Sequence, residues 1–279
     1  MNPLISAPEL AELLGGPTPP VVLDVHYQLG QPGWGREQYD AGHVPGAHFV
    51  DVETELSAHR PDGRGGRHPL PSAADFQSAM RRCGVTRTGV VVVLDQGSML
   101  AAGRLWWLLR HHGQDYVRVL DGGMAAWLAG GGEVTTEPAP AGDGDFVAGP
   151  GRMPTVDADA LPDELRRGRQ LFDVRAPERY RGEAEPIDPV AGHIPGAQNL
   201  PASRLMSPEG GFLPVAELRR VLAQVRPGDV VSCGSGLTAS QVALACEAAG
   251  TSAVAIYPGS WSDWITDPEH PVVTGASPT

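Results

Sequence analysis

The heptad Ala41-Gly42-His43-Val44-Pro45-Gly46-Ala47 returns as Ala191-Gly192-His193-Ile194-Pro195-Gly196-Ala197. Neither copy stands alone. Val21-Val22-Leu23-Asp24-Val25 precedes the first, and Leu171-Phe172-Asp173-Val174-Arg175 precedes the second. Further on, Val91-Val92-Val93-Leu94-Asp95-Gln96-Gly97-Ser98 corresponds to Val230-Val231-Ser232-Cys233-Gly234-Ser235. Leu120-Asp121-Gly122-Gly123-Met124-Ala125-Ala126-Trp127 then corresponds to Tyr257-Pro258-Gly259-Ser260-Trp261-Ser262-Asp263-Trp264. Blocks that recur in one order mark a duplicated domain, so the chain must fold as two versions of one architecture. The Pro-, Gly- and Ala-rich run Glu137–Gly144 between the copies reads as a linker. The copies are expected at residues 1–140 and 150–279.

Within each copy, short β-branched runs alternate with helical patterns. Strands are expected at 21–25, 90–94 and 117–120, and near 170–174, 229–232 and 253–257. Helices are expected at 101–112, 157–168, 215–225 and 237–249. This alternation predicts an α/β fold, a mostly parallel sheet in each domain flanked by helices. Ligands in such sheets bind beyond the carboxyl ends of the strands.

Cys233 falls at that place. A buried strand runs into it, the small residues Gly234-Ser235-Gly236 follow, and a helix begins. A tight glycine-containing loop turns backbone N–H groups inward, and a helix start adds unpaired N–H groups and partial positive charge. The arrangement suits a nucleophile or a sulfur anion; its structural alternative is an inert buried cysteine beside a turn. The residue in register with Cys233 in the first copy is Asp95, which predicts one catalytic copy and one supporting copy. Cys83 and Cys246 have no such loop and read as bystanders. Three cysteines without a C-x-x-C pair support neither a disulfide framework nor a zinc site.

The net charge of −12 argues against nucleic acid or an anionic membrane as partner. No apolar run reaches the ~18 residues of a membrane helix. The N-terminus MNPLISAPELAELL lacks the basic start and apolar run of a secretory signal, so the reading is cytoplasmic.

The tandem copies, the twin GH[VI]PGA blocks and Cys233-Gly234-Ser235-Gly236-Leu237-Thr238-Ala239 before a helix resemble the rhodanese sulfurtransferase family over nearly the whole chain. The loop and Gly259-Ser260-Trp261-Ser262-Asp263-Trp264 are similar to its mercaptopyruvate branch. The resemblance implies two tandem rhodanese-like domains, 1–140 non-catalytic and 150–279 catalytic, with a Cys233 persulfide and no metal or organic cofactor. It implies a small anionic sulfur donor and a thiol, cyanide or thioredoxin-like acceptor. N–H groups of Gly234, Gly236, Leu237 and Thr238 would stabilise the persulfide anion. Arg179, in Glu178-Arg179-Tyr180-Arg181-Gly182, would bind the donor's carboxylate, with Arg181 bracing or assisting. Ser235, His68 and Glu53 would form a proton relay. The branch often places a second arginine after its Glu-Pro pair; here Glu185-Pro186 is followed by Ile187.

Each assignment has a plainer alternative: solvated loop residues for Arg179, His68 and Glu53, and turn-stabilising residues for His43, His193, Asp24 and Asp173. Trp106, Trp107, Trp127, Trp261 and Trp264 read as core. A phosphatase or arsenate reductase needs Cys-x5-Arg; Ala239 occupies the arginine's place and excludes that class. A thiosulfate sulfurtransferase and a non-enzymatic rhodanese-like binding module are the remaining alternatives. The first tends to carry a basic loop residue, and the second commonly lacks the cysteine.

Overall fold

The computed structural model describes residues 2–251 and 253–277. The chain divides into two compact units. The first comprises Met1–Ala58, Pro71–Met153 and Ser207–Phe212; the second comprises His59–Leu70, Pro154–Met206 and Leu213–Thr279. The segment 59–70, which carries His68, therefore packs with the second unit.

The first unit runs β1 (Leu4–Ile5), α1 (Ala7–Leu14), β2 (Val21–Asp24), α2 (Trp34–Ala41), β3 (His48–Phe49), α3 (Ala73–Arg82), β4 (Val91–Leu94), α4 (Leu100–His111), β5 (Val117–Leu120) and α5 (Gly123–Ala129). Local chemistry starts its helices. Ser6 caps α1 through the N–H of Glu9, whose side chain accepts back from Ser6 N–H, and Ser72 caps α3 through the N–H of Asp75. The strands pair in parallel in the order β1-β5-β4-β2-β3. β4 is buried at every position, as its unbroken Val-Val-Val-Leu requires of a strand covered on both faces.

The second unit runs α6 (Leu161–Arg166), β6 (Leu171–Asp173), α7 (Pro177–Tyr180), β7 (Ala197–Asn199), a 3-10 turn (Ala202–Leu205), α8 (Val215–Val221), β8 (Val230–Ser232), α9 (Leu237–Ala248), β9 (Ala255–Ile256) and α10 (Ser260–Trp264). Its order is β7-β6-β8-β9, again parallel. The chain moves outward from β6 to β7, then returns to β8 on β6's other side. The strand order thus reverses between β6 and β8, where an open parallel sheet leaves a crevice beyond its carboxyl ends. Cys233 follows β8 directly. A core of Leu171, Val230, Ala255, Tyr257, Trp261 and Trp264, among others, holds one sheet face.

The expected strands and main helices are present, but the helices expected at 157–168 and 215–225 shorten to Leu161–Arg166 and Val215–Val221. The two-residue strands β1 and β3 and the three-residue β7 were not anticipated, because so few residues carry no periodicity. The run Glu137–Gly144 is no loose tether along its length. Gly142 N–H donates to Arg82 O and Gly144 N–H to Arg81 O, both at 3.1 Å. A Cβ on Gly142 would fall 2.1 Å from Gly84 N, so close backbone approach explains that glycine.

Candidate active site

The loop from β8 to α9 is held at both ends. Trp261 N–H donates to Cys233 O at 3.0 Å and Ser262 N–H to Gly234 O at 2.9 Å. Gly236 ends the loop as the N-cap of α9 at φ 85°, where a Cβ would lie 2.3 Å from Pro258 O. Glycine is required there on both counts. This turn aims Gly236 N–H at Cys233 Sγ, at 3.1 Å. Leu237 and Thr238 follow in the first turn of α9, where N–H groups lack an acceptor one turn back. Cys233 is 2 % exposed.

The first copy displays what such a junction holds. Asp95 stands in the place of Cys233, and Met99, in the place of Gly236, caps α4 at φ 61°. Met99 N–H donates to Asp95 Oδ1 at 3.1 Å, the counterpart of the Gly236 bond to sulfur. Gly97 N–H adds a bond to Oδ1 at 2.8 Å. Asp95 Oδ2 accepts from Ser98 Oγ at 3.1 Å and Ala102 N–H at 3.3 Å. Asp95 is wholly buried. The duplicated loop–helix junction therefore cradles a carboxylate through converging N–H groups, the arrangement a sulfur anion needs.

Met99 and Ser260 are the non-glycine residues at positive φ among the described residues, and each belongs to one of these junctions. Ser260, at φ 54°, occupies the place of Gly123 at φ 55° in the first copy. Its hydroxyl accepts from Cys233 N–H at 3.0 Å, donates to Tyr257 O at 2.8 Å and lies 3.8 Å from Sγ. A side chain in the left-handed region is costly, so this serine marks local strain next to the thiol. Sequence reading missed it; the mismatch Gly-Gly against Gly-Ser in the aligned blocks was the available signal.

Ser235 and His68 meet. His68 Nδ1 lies 2.7 Å from Ser235 Oγ, and both residues are buried. The backbone of 65–67 is clasped to α10: Gly65 N–H donates to Asp263 Oδ1 at 2.7 Å and Arg67 N–H to Ser262 Oγ at 2.9 Å. Glu53 lies in the first unit, where the Tyr27 hydroxyl donates to it at 2.9 Å.

Arg179, in the short α7, reaches the loop: a Cβ on Gly234 would lie 3.6 Å from its Nη1. It is already ion-paired. Nε and Nη2 donate to the two carboxylate oxygens of Glu185, and Nη2 donates to Asp188 Oδ2 at 2.9 Å. Burial alone would raise the Glu185 carboxyl, but Arg179 and the N–H groups of Asp188 and Ile187 hold it below its ordinary range. Arg181 turns instead to Glu183, with Nε and Nη2 donating at 2.8 and 2.7 Å. Ile187 is exposed, and a second guanidinium arrives from elsewhere: Arg67 Nη2 would lie 3.3 Å from a Gly234 Cβ. Arg67 was not singled out from the sequence; only its adjacency to His68 hinted at it.

His43 and His193 fill the structural role expected of them. His43 stacks on Tyr39, its ring nitrogens 2.7 Å from Tyr39 O and 3.0 Å from Glu137 O. His193 stacks on Tyr180 in the same way. Asp173 is bound by the Arg175 guanidinium, and Asp24 pairs with His26. Burial pushes the thiols of Cys83 and Cys246 each up to about 11. No helix among the described residues is long and apolar enough to cross a membrane.

The model of the rhodanese-like domain matches this chain twice, at residues 6–130 and 157–267. The chain is 43% identical to a probable 3-mercaptopyruvate sulfurtransferase of Pseudomonas aeruginosa, over 98% of each chain. It is 40% identical to the putative thiosulfate sulfurtransferase SseB of Mycobacterium tuberculosis, again over 98% of each. The crystal structure of SseA from Escherichia coli, described under 3-mercaptopyruvate sulfotransferases, superposes with a TM-score of 0.79 at 32% identity, covering 94% of this chain and 100% of that one. With two rhodanese-like domains and full-length kinship to named sulfurtransferases, the chain belongs to the rhodanese-like family and is a sulfurtransferase.

Proposed function

We propose that the protein moves a sulfane sulfur from 3-mercaptopyruvate, through a persulfide on Cys233, to a thiol, cyanide or thioredoxin-like acceptor in a reducing, cytoplasmic setting. The domain at 150–279 carries the chemistry, and the domain at 1–140 supports it. The Cys233 thiolate attacks the donor sulfur; the new S–S bond forms as the C–S bond breaks, and its electron pair leaves as the enolate of pyruvate. The donor's S–H proton is released from the new persulfide, and the enolate takes up one proton to become pyruvate. Gly236, with Gly234, Leu237 and Thr238, stabilises the persulfide anion through backbone N–H groups. Arg179 receives the donor carboxylate, assisted by Arg181 in bracing its loop.

The observation that carries the keto-acid reading is the hydrogen-bond contact between Ser235 Oγ and His68 Nδ1, 2.7 Å, two residues along from Cys233. A hydroxyl backed by imidazole serves to deliver a proton to an enolate. Glu53 is assigned as the acidic member of this relay on family resemblance. Thiosulfate needs no proton, because sulfite leaves as a stable anion. That second donor is favoured by the name of the Mycobacterium tuberculosis relative.

Intact-mass measurement after donor treatment is expected to show one added sulfur, absent in Cys233→Ser. Steady-state transfer to cyanide is expected to give a higher kcat/KM with 3-mercaptopyruvate than with thiosulfate. Ser235→Ala is expected to lower the first by at least tenfold and to spare the second. A higher kcat/KM for thiosulfate, with both donors equally affected by Ser235→Ala, makes the protein a thiosulfate sulfurtransferase. Sulfur retained in Cys233→Ser moves the site to another cysteine.

A further inference from the structure

A chain of alternating charges runs through the second unit to the catalytic loop. Arg67 Nη1 donates to Asp188 Oδ1 at 2.6 Å, and Arg179 Nη2 donates to Asp188 Oδ2 at 2.9 Å. Arg179 also binds Glu185, Glu185 accepts from Arg175 Nη1 at 3.3 Å, and Arg175 binds Asp173. Three guanidinium groups are thus matched by three carboxylates. The Asp188 carboxylate is 3 % exposed and sits between the two cations that approach Gly234. Arg67 also keeps an unused hydrogen-bond donor: its Nε is buried without a hydrogen-bond partner among the described residues. A buried donor left unpaired is costly, and a bound acceptor relieves that cost.

We propose that Asp188 is the positioning residue that sets the charge preference of the donor site. It cross-links Arg67 and Arg179 beside Gly234 and, in a cluster whose three guanidinium groups are matched by three carboxylates, supplies the negative charge nearest the two cations, which disfavours a dianion relative to a monoanionic carboxylate. The inference rests on the sulfur-transfer reading above. Arg67 and Arg179 are the groups that touch the donor; Asp188 acts through them. Removing the Asp188 charge adds one positive charge to the site. That addition favours the second negative charge of thiosulfate by roughly tenfold, an effect that salt weakens.

The experiment compares full-length wild type, Asp188→Asn and Arg67→Gln. It measures kcat/KM for thiosulfate and for 3-mercaptopyruvate at two ionic strengths. Alongside turnover, it measures protection of Cys233 from iodoacetamide by pyruvate and by sulfate. Asp188→Asn is expected to raise the thiosulfate-to-mercaptopyruvate ratio about tenfold, less at high salt, and to raise sulfate protection relative to pyruvate. Arg67→Gln is expected to move both ratios in the opposite direction. A folding defect would move both variants the same way. If the wild type turns over but Asp188→Asn lowers both donors equally, or shifts the ratio toward mercaptopyruvate, the charge-setting role is wrong and the sulfur-transfer reading stands. If neither donor is turned over while the protection ratios shift as stated, the transfer reading fails and the role of Asp188 survives. If neither turnover nor a shift is seen, both fall.

Discussion

Asp95 and Cys233 pose the same physical problem with opposite solutions. Asp95 brings a permanent anion to the start of α4 and satisfies Gly97, Ser98, Met99 and Ala102 with it. Cys233 receives the Gly236 N–H on its sulfur, and under the proposed function its junction would hold the persulfide anion. Asp95→Ala would remove this acceptor from the buried N–H groups of Met99 and Ala102, at ~1–3 kcal/mol for each group not rehydrated. A loss of roughly 3 kcal/mol in the first unit is expected, read as a drop in the denaturant midpoint at unchanged m-value; a loss under about 0.5 kcal/mol would mean the cradle is hydrated instead. Ser260 bears on the other junction. Ser260→Gly removes a side chain from a left-handed position and also removes the acceptor of Cys233 N–H. Stability is therefore expected to change little while kcat falls several-fold, and thermal melts with single-turnover persulfide formation check both halves. Arg67 and Asp188 were missed in the sequence for one reason: a charged side chain in a loop has no pattern until its partner is placed.

At the level of elements, α7 and the loop after it are built by electrostatics more than by apolar burial. α7 has four residues, buries Tyr180, and delivers Arg179 to Glu185 and Asp188. Because Glu185 is held below its ordinary value of 4.5 when folded, the unfolded chain binds its proton more readily in the window beneath that value. Its contribution to stability is full above about pH 4.5 and is lost as pH falls through the folded value. Melting temperature is expected to fall on acidification below that point, and Glu185→Gln is expected to flatten that slope; an unchanged slope would assign the acid sensitivity to other carboxylates. Some of the longer elements were readable beforehand, though α1, α2 and α3 were not. β4 is an unbroken apolar run and β8 opens on Val230-Val231, and α4 and α9 follow their loops at once. β1, β3 and β7 were not, since two or three residues become a strand only when a neighbour supplies the ladder.

For the molecule as a whole, the duplication seen in the sequence is the organising fact, but the two copies do not partition the chain cleanly. Residues 59–70, from the first half of the sequence, complete the second unit with Arg67 and His68. A fragment of residues 150–279 lacks both side chains and the clasp of Gly65 and Arg67 on α10. It is expected to melt at lower temperature than the full chain and to lose most sulfur transfer; full activity would remove 59–70 from the mechanism. What the sequence determined by itself was whatever depends on short-range pattern: two α/β copies, parallel strands rich in apolar residues, and a cysteine followed by glycines and a helix start. These follow from backbone sterics and periodicity, which act between residues a few positions apart. Only the tertiary structure decided which polar side chains converge on that cysteine. Arg67, Asp188 and Ser260 are drawn from distant segments, as is His68, whose pairing with Ser235 the family resemblance implied; their ion pairs and hydrogen bonds become favourable only where burial has already brought the partners together and excluded water.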